Sequence, residues 1–309
     1  MLMDIPIDQF TKRVSLFQSG CQFSPITKGF SADVKYRVRT SSGAQYLLRV
    51  VSANKFLRTQ VEYHLIQQMF ETGITVPRPV VLGRWDDLNV GFYVLSFIEG
   101  QDAEDALMYY SADAQWQIGV RAGRDLYRMH QFPAPPYTTP WGDHILKKCS
   151  ASIDAYRLCG NPVHGADQII AFIERSAPIL RQRPNRFQHD DFHVANIIVH
   201  GGQYAGVIDF NRCDWGDPIH DFLKIAFFSR PVSVPFCLGQ LAGYFGKQPI
   251  SNEFWHLYSV YVAMSIFASV VWTMRVAPET MGSMMARIDR VLEDHRGFES
   301  IRPAWFREI

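Results

Sequence analysis

The feature that most constrains this chain is a polar loop set between two apolar runs. It reads His189-Asp190-Asp191-Phe192-His193-Val194-Ala195-Asn196, and Val207-Ile208-Asp209-Phe210 follows it. Phe187 in front and Ile197-Ile198-Val199 behind can anchor the loop on both sides. Val199 to Tyr204 reads as a strand end with a Gly201-Gly202 turn, and Ala205 to Ile208 as the returning strand of a hairpin. A hairpin carries Asp209 back towards the loop that holds Asn196, so three oxygen-bearing side chains, Asp191, Asn196 and Asp209, are expected to converge. The plain alternative is a surface loop in which Asp and Asn only form turns. The His-x-Asp spacing alone would suit that alternative; the Asn, the hairpin and the Ile-Asp-Phe together argue for a site.

Those groups suit phosphoryl transfer from a nucleotide. Asp191 can orient an acceptor hydroxyl and receive its proton. Asn196 and Asp209 offer hard oxygen ligands that hold Mg2+ against the phosphates. Positioning and charge neutralisation suffice for such a transfer, without a covalent enzyme intermediate. His189 and His193 read as supports of the loop. Asp217 and Asp221 follow Gly216 at a helix start, where carboxylates satisfy free amides and can brace the loop. Asp214 can face the acceptor.

The loop resembles that of the aminoglycoside phosphotransferase and choline kinase-like family, usually written His-Gly-Asp-Leu-His-x-x-Asn, with Asp190 in place of the Gly. Ile208-Asp209-Phe210-Asn211 resembles the Asp-Phe-Gly element of protein kinases, with Asn for Gly. Trp215-Gly216-Asp217-Pro218-Ile219-His220-Asp221 resembles the family's Gly-Asp-Pro-x-x-Asp. The resemblance implies an α+β, bilobal protein-kinase-like fold, with a small antiparallel-sheet N-lobe and a larger, mostly helical C-lobe. It also implies a nucleotide in the cleft between the lobes.

The first third fits that expectation. Phe23 to Lys28, Val34 to Arg39 and Tyr46 to Val51 read as strands. A helix is expected between Asn54 as N-cap and Gly73 as stop. Glu62, Leu65, Ile66, Met69 and Phe70 recur at helical spacing, so Glu62 points inward. A buried carboxylate is costly unless paired, and Arg49 on the third strand is its natural partner. This mirrors the kinase ion pair whose cation also reaches phosphate, with a planar Arg fork in place of Lys. Gly29-Phe30-Ser31 resembles the family's phosphate-covering turn, although alone it is an ordinary hairpin turn. Phe92 to Gly100 reads as a strand leaving into a hinge near residues 96–99, where backbone groups of Ser96, Phe97 and Ile98 would meet the purine edge. The N-terminal, nucleotide-binding lobe is expected to span residues 1–99 and the helical lobe, with the catalytic loop and acceptor site, residues 100–309.

Beyond Gly100 helices are expected over residues 111–130, 143–159, 166–180, 217–228, 234–245, 253–274 and 278–295. The 309 residues, 47% hydrophobic, can bury a sizeable core. A formal net charge of +1 without dense Lys/Arg runs gives no support for nucleic acid or an anionic membrane as partner. Five cysteines, with no Cys-x-x-Cys, fit a reducing cytoplasm better than a disulfide framework or zinc site. The apolar stretch from Leu257 to Trp272 is shorter than the ~20 residues that span a bilayer and reads as a buried helix.

The expected activity is transfer of the γ-phosphate of ATP or GTP to a hydroxyl of an antibiotic-like acceptor, aminoglycoside or macrolide in type, with antibiotic resistance as its consequence. A metabolic kinase for a choline-like, sugar or amino-alcohol substrate is the alternative, followed by a catalytically weak nucleotide-binding regulator. A polyamine acceptor would want an acidic pocket drawn from Asp154, Asp167, Asp214, Glu253, Glu293 and Asp294. An apolar acceptor would use the aromatics between Trp255 and Trp272.

Overall fold

The computed structural model describes residues 7–29 and 33–307. The chain divides into two compact units, residues 1–99 and 100–309.

In the first unit, α1 (Ile7–Arg13) precedes β1 (Cys21–Pro25), β2 (Val34–Thr40) and β3 (Gln45–Ser52); α2 (Phe56–Glu71), β4 (Pro79–Trp85) and β5 (Val90–Ser96) follow. The five strands form one antiparallel sheet in the order β1-β2-β3-β5-β4. The two-residue period of β3 gives the sheet two different faces. Leu48 and Val50, opposite Val94 and Phe92 of β5, project into a core closed by Phe10 of α1 and by Phe17. Arg49, opposite Tyr93, projects to the other face, where it meets Glu62 of α2. A one-residue slip of β3 would bury the cation among those phenylalanines, so the register is strongly specified.

Helix α2 differs from the expectation at two points. Asn54 does not cap it: Ala53–Lys55 forms a 3-10 turn, the helix starts at Phe56, and the Asn54 side chain instead accepts from Ser52 Oγ. Phe70 is 40% exposed, so the inward stripe consists of Glu62, Leu65, Ile66 and Met69. Gly73 does stop the helix. Its φ of 79° is left-handed, and the Gly73 and Ile74 amides return to Phe70 O and Met69 O.

The second unit begins with β6 (Gln101–Asp102), α3 (Ala103–Ala106), α4 (Ala112–Met129), α5 (Trp141–Arg157) and α6 (Ala166–Ser176). Next come β7 (Arg186–Gln188), β8 (Ile197–His200), β9 (Gln203–Val207) and β10 (Asp214–Gly216). Helices α7 (Val234–Phe245), α8 (Asn252–Val276) and α9 (Met281–His295) complete it. Strands β6, β8 and β9 form one small sheet, and β7 pairs with β10. The single helix expected over 217–228 is broken: Pro218–Phe222 is a 3-10 turn and Ile225–Ser229 a wide π-type turn.

Helices α4 and α7 cross with their backbones touching. A Cβ on Gly119 would lie 2.2 Å from Phe236 O, and one on Gly123 would lie 2.1 Å from Gln240 O. Across the crossing, a Cβ on Gly239 would meet Trp116 O at 2.1 Å, and one on Gly243 would meet Val120 O at 2.0 Å. Each helix thus presents two glycines four residues apart to its partner. Helices α5, α6 and α9 pack on α8, which is long and apolar enough to cross a membrane. The reason for its composition is burial: 72% of its most apolar window lies inside the protein.

Candidate active site

The loop of interest leaves β7 at Gln188 and enters β8 at Ile197. Its shape depends on two left-handed residues, Asp190 (φ 57°) and Asp209 (φ 66°). Asp is one of the few side chains that tolerates this region, which explains why Asp190 can stand where the resembling family carries Gly. Gly201 (φ 55°) and Gly202 (φ 75°) form the hairpin turn between β8 and β9. The hairpin returns the chain as expected, and the Ile208 amide donates to Asn196 O at 3.0 Å, so Asp209 directly follows a residue bonded to Asn196.

Two buried carboxylates lie behind the loop, and Asp221 holds it directly. Asp221 accepts from the His189 amide at 2.8 Å and the Asp190 amide at 2.7 Å, and its Oδ2 lies 3.0 Å from His130 Nε2. Asp217 accepts from the Ile219 amide, from Arg183 and from Tyr261 OH. His189 donates Nε2–H to Ile208 O at 3.1 Å, and burial lowers its pKa, so it is a neutral strut. His193 Nδ1 accepts from the Ala195 amide; its proton therefore sits on Nε2, 3.3 Å from Asp191 Oδ1.

Asp191 is the centre of this network. Lys224 Nζ donates to Oδ1 at 2.9 Å, Asn196 Nδ2 lies 3.3 Å from Oδ2, and Arg212 Nε is 3.9 Å from Oδ2. Burial alone would raise the Asp191 pKa, but Lys224 and His193 outweigh it and hold the carboxyl well below its usual range. Asp190 behaves similarly: burial opposes ionisation, yet His220, 3.2 Å away, brings its pKa to about 2. Asn196 Nδ2 also donates to Asp191 O at 2.9 Å. A carbonyl can only accept, so the amide orientation is fixed and Asn196 Oδ1 is turned away as an acceptor.

In the first unit the expected Arg49–Glu62 pair is present and larger than expected. Arg49 Nη1 donates to Glu62 at 2.7 Å and 2.9 Å and to Tyr93 OH at 2.9 Å, while Nε and Nη2 reach Asp33 at 3.1 Å and 2.5 Å. Lys55 also pairs with Asp33, at 3.0 Å. Burial opposes the charge on Arg49, but Tyr93, Glu62 and Asp33 raise its pKa overall. Asp33, Lys55 and Tyr93 were missed in the sequence. Asp33 lies two residues before Lys35, the cross-strand partner of Arg49, and so shares its face; only the register reveals this. Gly29 adopts φ 107°, and Phe30 and Ser31 lie outside the described residues. The strand that leaves towards Gly100 ends at Ser96. The Ser96 amide donates to Arg78 O and the Phe97 amide to Gln45 O, so two of the three expected hinge amides are already engaged.

The family model described as the phosphotransferase enzyme family matches residues 22–253. The chain belongs to that family. No curated protein matches it. Among solved structures, the phosphotransferase is similar to a point mutant of aminoglycoside 2'-phosphotransferase-IIIa bound to GDP, with TM-score 0.70 and 13% identity over 94% of this chain and 98% of that one. It is also similar to a thermostable mutant of aminoglycoside phosphotransferase APH(4)-Ia in a ternary complex with AMP-PNP and hygromycin B (TM-score 0.66, 14% identity, 94% and 98% covered). ADP-bound aminoglycoside phosphotransferase APH(2'')-Ib gives TM-score 0.62 at 15% identity, with 92% and 96% covered. The fold of the phosphotransferase is therefore the protein-kinase-like fold expected from its motifs.

Two cavities of the phosphotransferase lie outside the Asp191 loop. One of about 310 Å³ is lined by Arg183, Asp217, Tyr244, Glu253 and neighbours, and one of about 280 Å³ by Ile118, Arg121, Tyr204 and neighbours; neither contains Asp191, Asn196 or Asp209.

Proposed function

We propose that this phosphotransferase moves the terminal phosphate of ATP or GTP to a hydroxyl of a small molecule in a Mg2+-dependent reaction. The observation that carries the reading is the Asp191 carboxylate, bonded by Lys224 and by Asn196. The bond from the terminal phosphorus to its bridging oxygen breaks, a bond from phosphorus to the acceptor oxygen forms, and the acceptor proton passes to Asp191. The nucleoside diphosphate leaves. With its pKa held so low, Asp191 mainly orients the hydroxyl and takes the proton late, as the bond to phosphorus forms.

Asn196 and Asp209 would hold Mg2+. An amide oxygen turned outward and a carboxylate next in the chain to a residue bonded to Asn196 form a hard-oxygen donor set that fits the ion. Bound there, Mg2+ would neutralise phosphate charge. Arg49, kept in place by Glu62, would bind phosphate, with Gly29, Phe30 and Ser31 covering it. Since the amides of Ser96 and Phe97 are engaged, Ile98 is the residue whose amide would meet the purine edge. Solved structures similar to this chain hold GDP, ADP and AMP-PNP, which supports a nucleotide donor. All five cysteines are free thiols, which suits a reducing cytoplasm.

The acceptor is a small-molecule alcohol, either antibiotic-like or a metabolite. Nucleoside diphosphate release is measured over a panel of alcohols. Stimulation by one of them, lost in Asp191→Ala, supports the reading; tight nucleotide binding without turnover on any acceptor favours a regulator.

A further inference from the structure

The groups around Asp191 in the helical unit are cationic and aromatic. Lys224 and Arg212 both approach its carboxylate, and the Arg212 guanidinium also sits 5.8 Å from the centre of the Trp272 ring. Phe228 gathers three further groups. His193 stacks on it with ring centres 4.6 Å apart, Lys224 Nζ lies 5.6 Å from its centre, and the Arg287 guanidinium lies 4.9 Å from it. None of Arg212, Phe228, Trp272 and Arg287 is fully buried. Among the described residues Arg287 pairs with no carboxylate, and Arg212 reaches only Asp191. Lys224 and Arg212 therefore share one carboxylate, and Arg287 lies unpaired on the Phe228 ring beside them, at the point where an acceptor hydroxyl must arrive.

Four of the six carboxylates that an acidic pocket would draw on are engaged elsewhere. Asp294 pairs with Arg230 at 2.8 Å, Glu253 with Arg183 at 2.9 Å and Asp154 with Arg157 at 3.6 Å. Asp214 accepts from the amide of Trp215. A polycation brought to Asp191 would meet like charge, whereas a carboxylate or phosphate would meet planar guanidinium donors suited to it.

We propose that the acceptor is an anionic alcohol, carrying a carboxylate or phosphate and an apolar or aromatic body, held by Arg212 and Arg287 beside Phe228 and Trp272. Polycationic amino-sugars are selected against. The proposal rests on the kinase reading above and restricts its substrate class. The transfer is the one already written, with Asp191 receiving the hydroxyl proton. The anionic group stays unmodified and serves as the handle.

The test uses three alcohols of one shape: phenyllactate, its neutral amide and the cationic phenylalaninol. Each is offered with Mg2+ and nucleotide to the full chain and to Arg287→Glu. The expected order of kcat/KM is acid, then amide, then amine, with the acid-over-amine ratio falling about tenfold or more in Arg287→Glu. The ratio is internal to each protein, so partial loss of folded enzyme does not mimic the effect. Equal use of the three, preference for the amine, or no use of the acid overturns the proposal. A rise in nucleotide KM with an unmoved ratio also overturns it, by assigning these cations to the donor. Absence of any Asp191-dependent nucleotide turnover would overturn both this and the kinase reading, whereas turnover with the wrong charge preference overturns this proposal alone.

Discussion

Lys224 Nζ donates to Asp191 Oδ1 at 2.9 Å, joining the π-type turn region after the β8–β9 hairpin to the loop before it. The contact joins two parts of the chain thirty-three residues apart and favours the charged form of Asp191.

Replacing Lys224 has a pH signature. The folded-state pKa of Asp191 lies below the ordinary 3.8, so the pairing contributes stability that is complete above that value and is lost as pH falls through the folded value. In Lys224→Met the largest lowering cause is gone, while His193, which also lowers the pKa, and burial, which raises it, remain. The acidic limb of the pH–rate profile should move up by about one unit or more. A profile with an unmoved acidic limb would show that Lys224 does not set the ionisation of Asp191.

Glu62→Ala should be among the more damaging single changes in the first unit. It leaves the buried Arg49 with Asp33 as its remaining carboxylate, and breaking one side of a buried pair costs about 3–5 kcal/mol. Urea unfolding should show that loss, and nucleotide KM should rise because Arg49 is no longer aimed. Unchanged stability would mean that Asp33 and Lys55 reorganise to compensate.

Asp221→Ala removes the acceptor of two loop amides, leaving the His189 and Asp190 N–H groups unsatisfied. At about 1–3 kcal/mol for each stranded donor, a loss of about 2–6 kcal/mol is expected, together with a fall in kcat larger than any change in nucleotide affinity. Equal falls in kcat and nucleotide binding would argue for general unfolding instead.

Gly123→Ala tests the α4–α7 crossing. Its new methyl would sit 2.1 Å from Gln240 O, on a backbone that cannot swing aside as a side chain does. A loss of about 1–3 kcal/mol is expected in thermal or urea unfolding. Gly282→Ala, with open space at its Cβ, should be neutral or slightly stabilising, since Ala is the better helix former.

The sequence revealed the parts of this protein that depend on local periodicity. The Asp191 loop, its Gly-Gly hairpin, the inward Glu62 and the stop at Gly73 each follow from spacing over a few residues. The parts that it hid depend on register and distant contact. Asp33 joins Arg49 only once β2 and β3 are aligned. Lys224 reaches Asp191 across a segment whose helical spacing suggested one helix but which breaks into two turns. The four glycines of α4 and α7 look unremarkable until the two helices cross. The Ser96 and Phe97 amides looked free to meet a purine edge, whereas Arg78 O and Gln45 O already occupy them.

The central claim is that Asp191, Asn196 and Asp209 act together on a nucleotide with Mg2+. Single-turnover phosphate transfer, measured against Mg2+ concentration, tests it most directly in the wild type, Asp191→Asn, Asn196→Ala and Asp209→Asn. Asp191→Asn should lower the rate about 10²–10⁴-fold without moving the Mg2+ midpoint, while the other two should shift that midpoint upward. Transfer that persists in Asp191→Asn, or Mg2+ dependence unaltered in both Asn196→Ala and Asp209→Asn, would contradict the account.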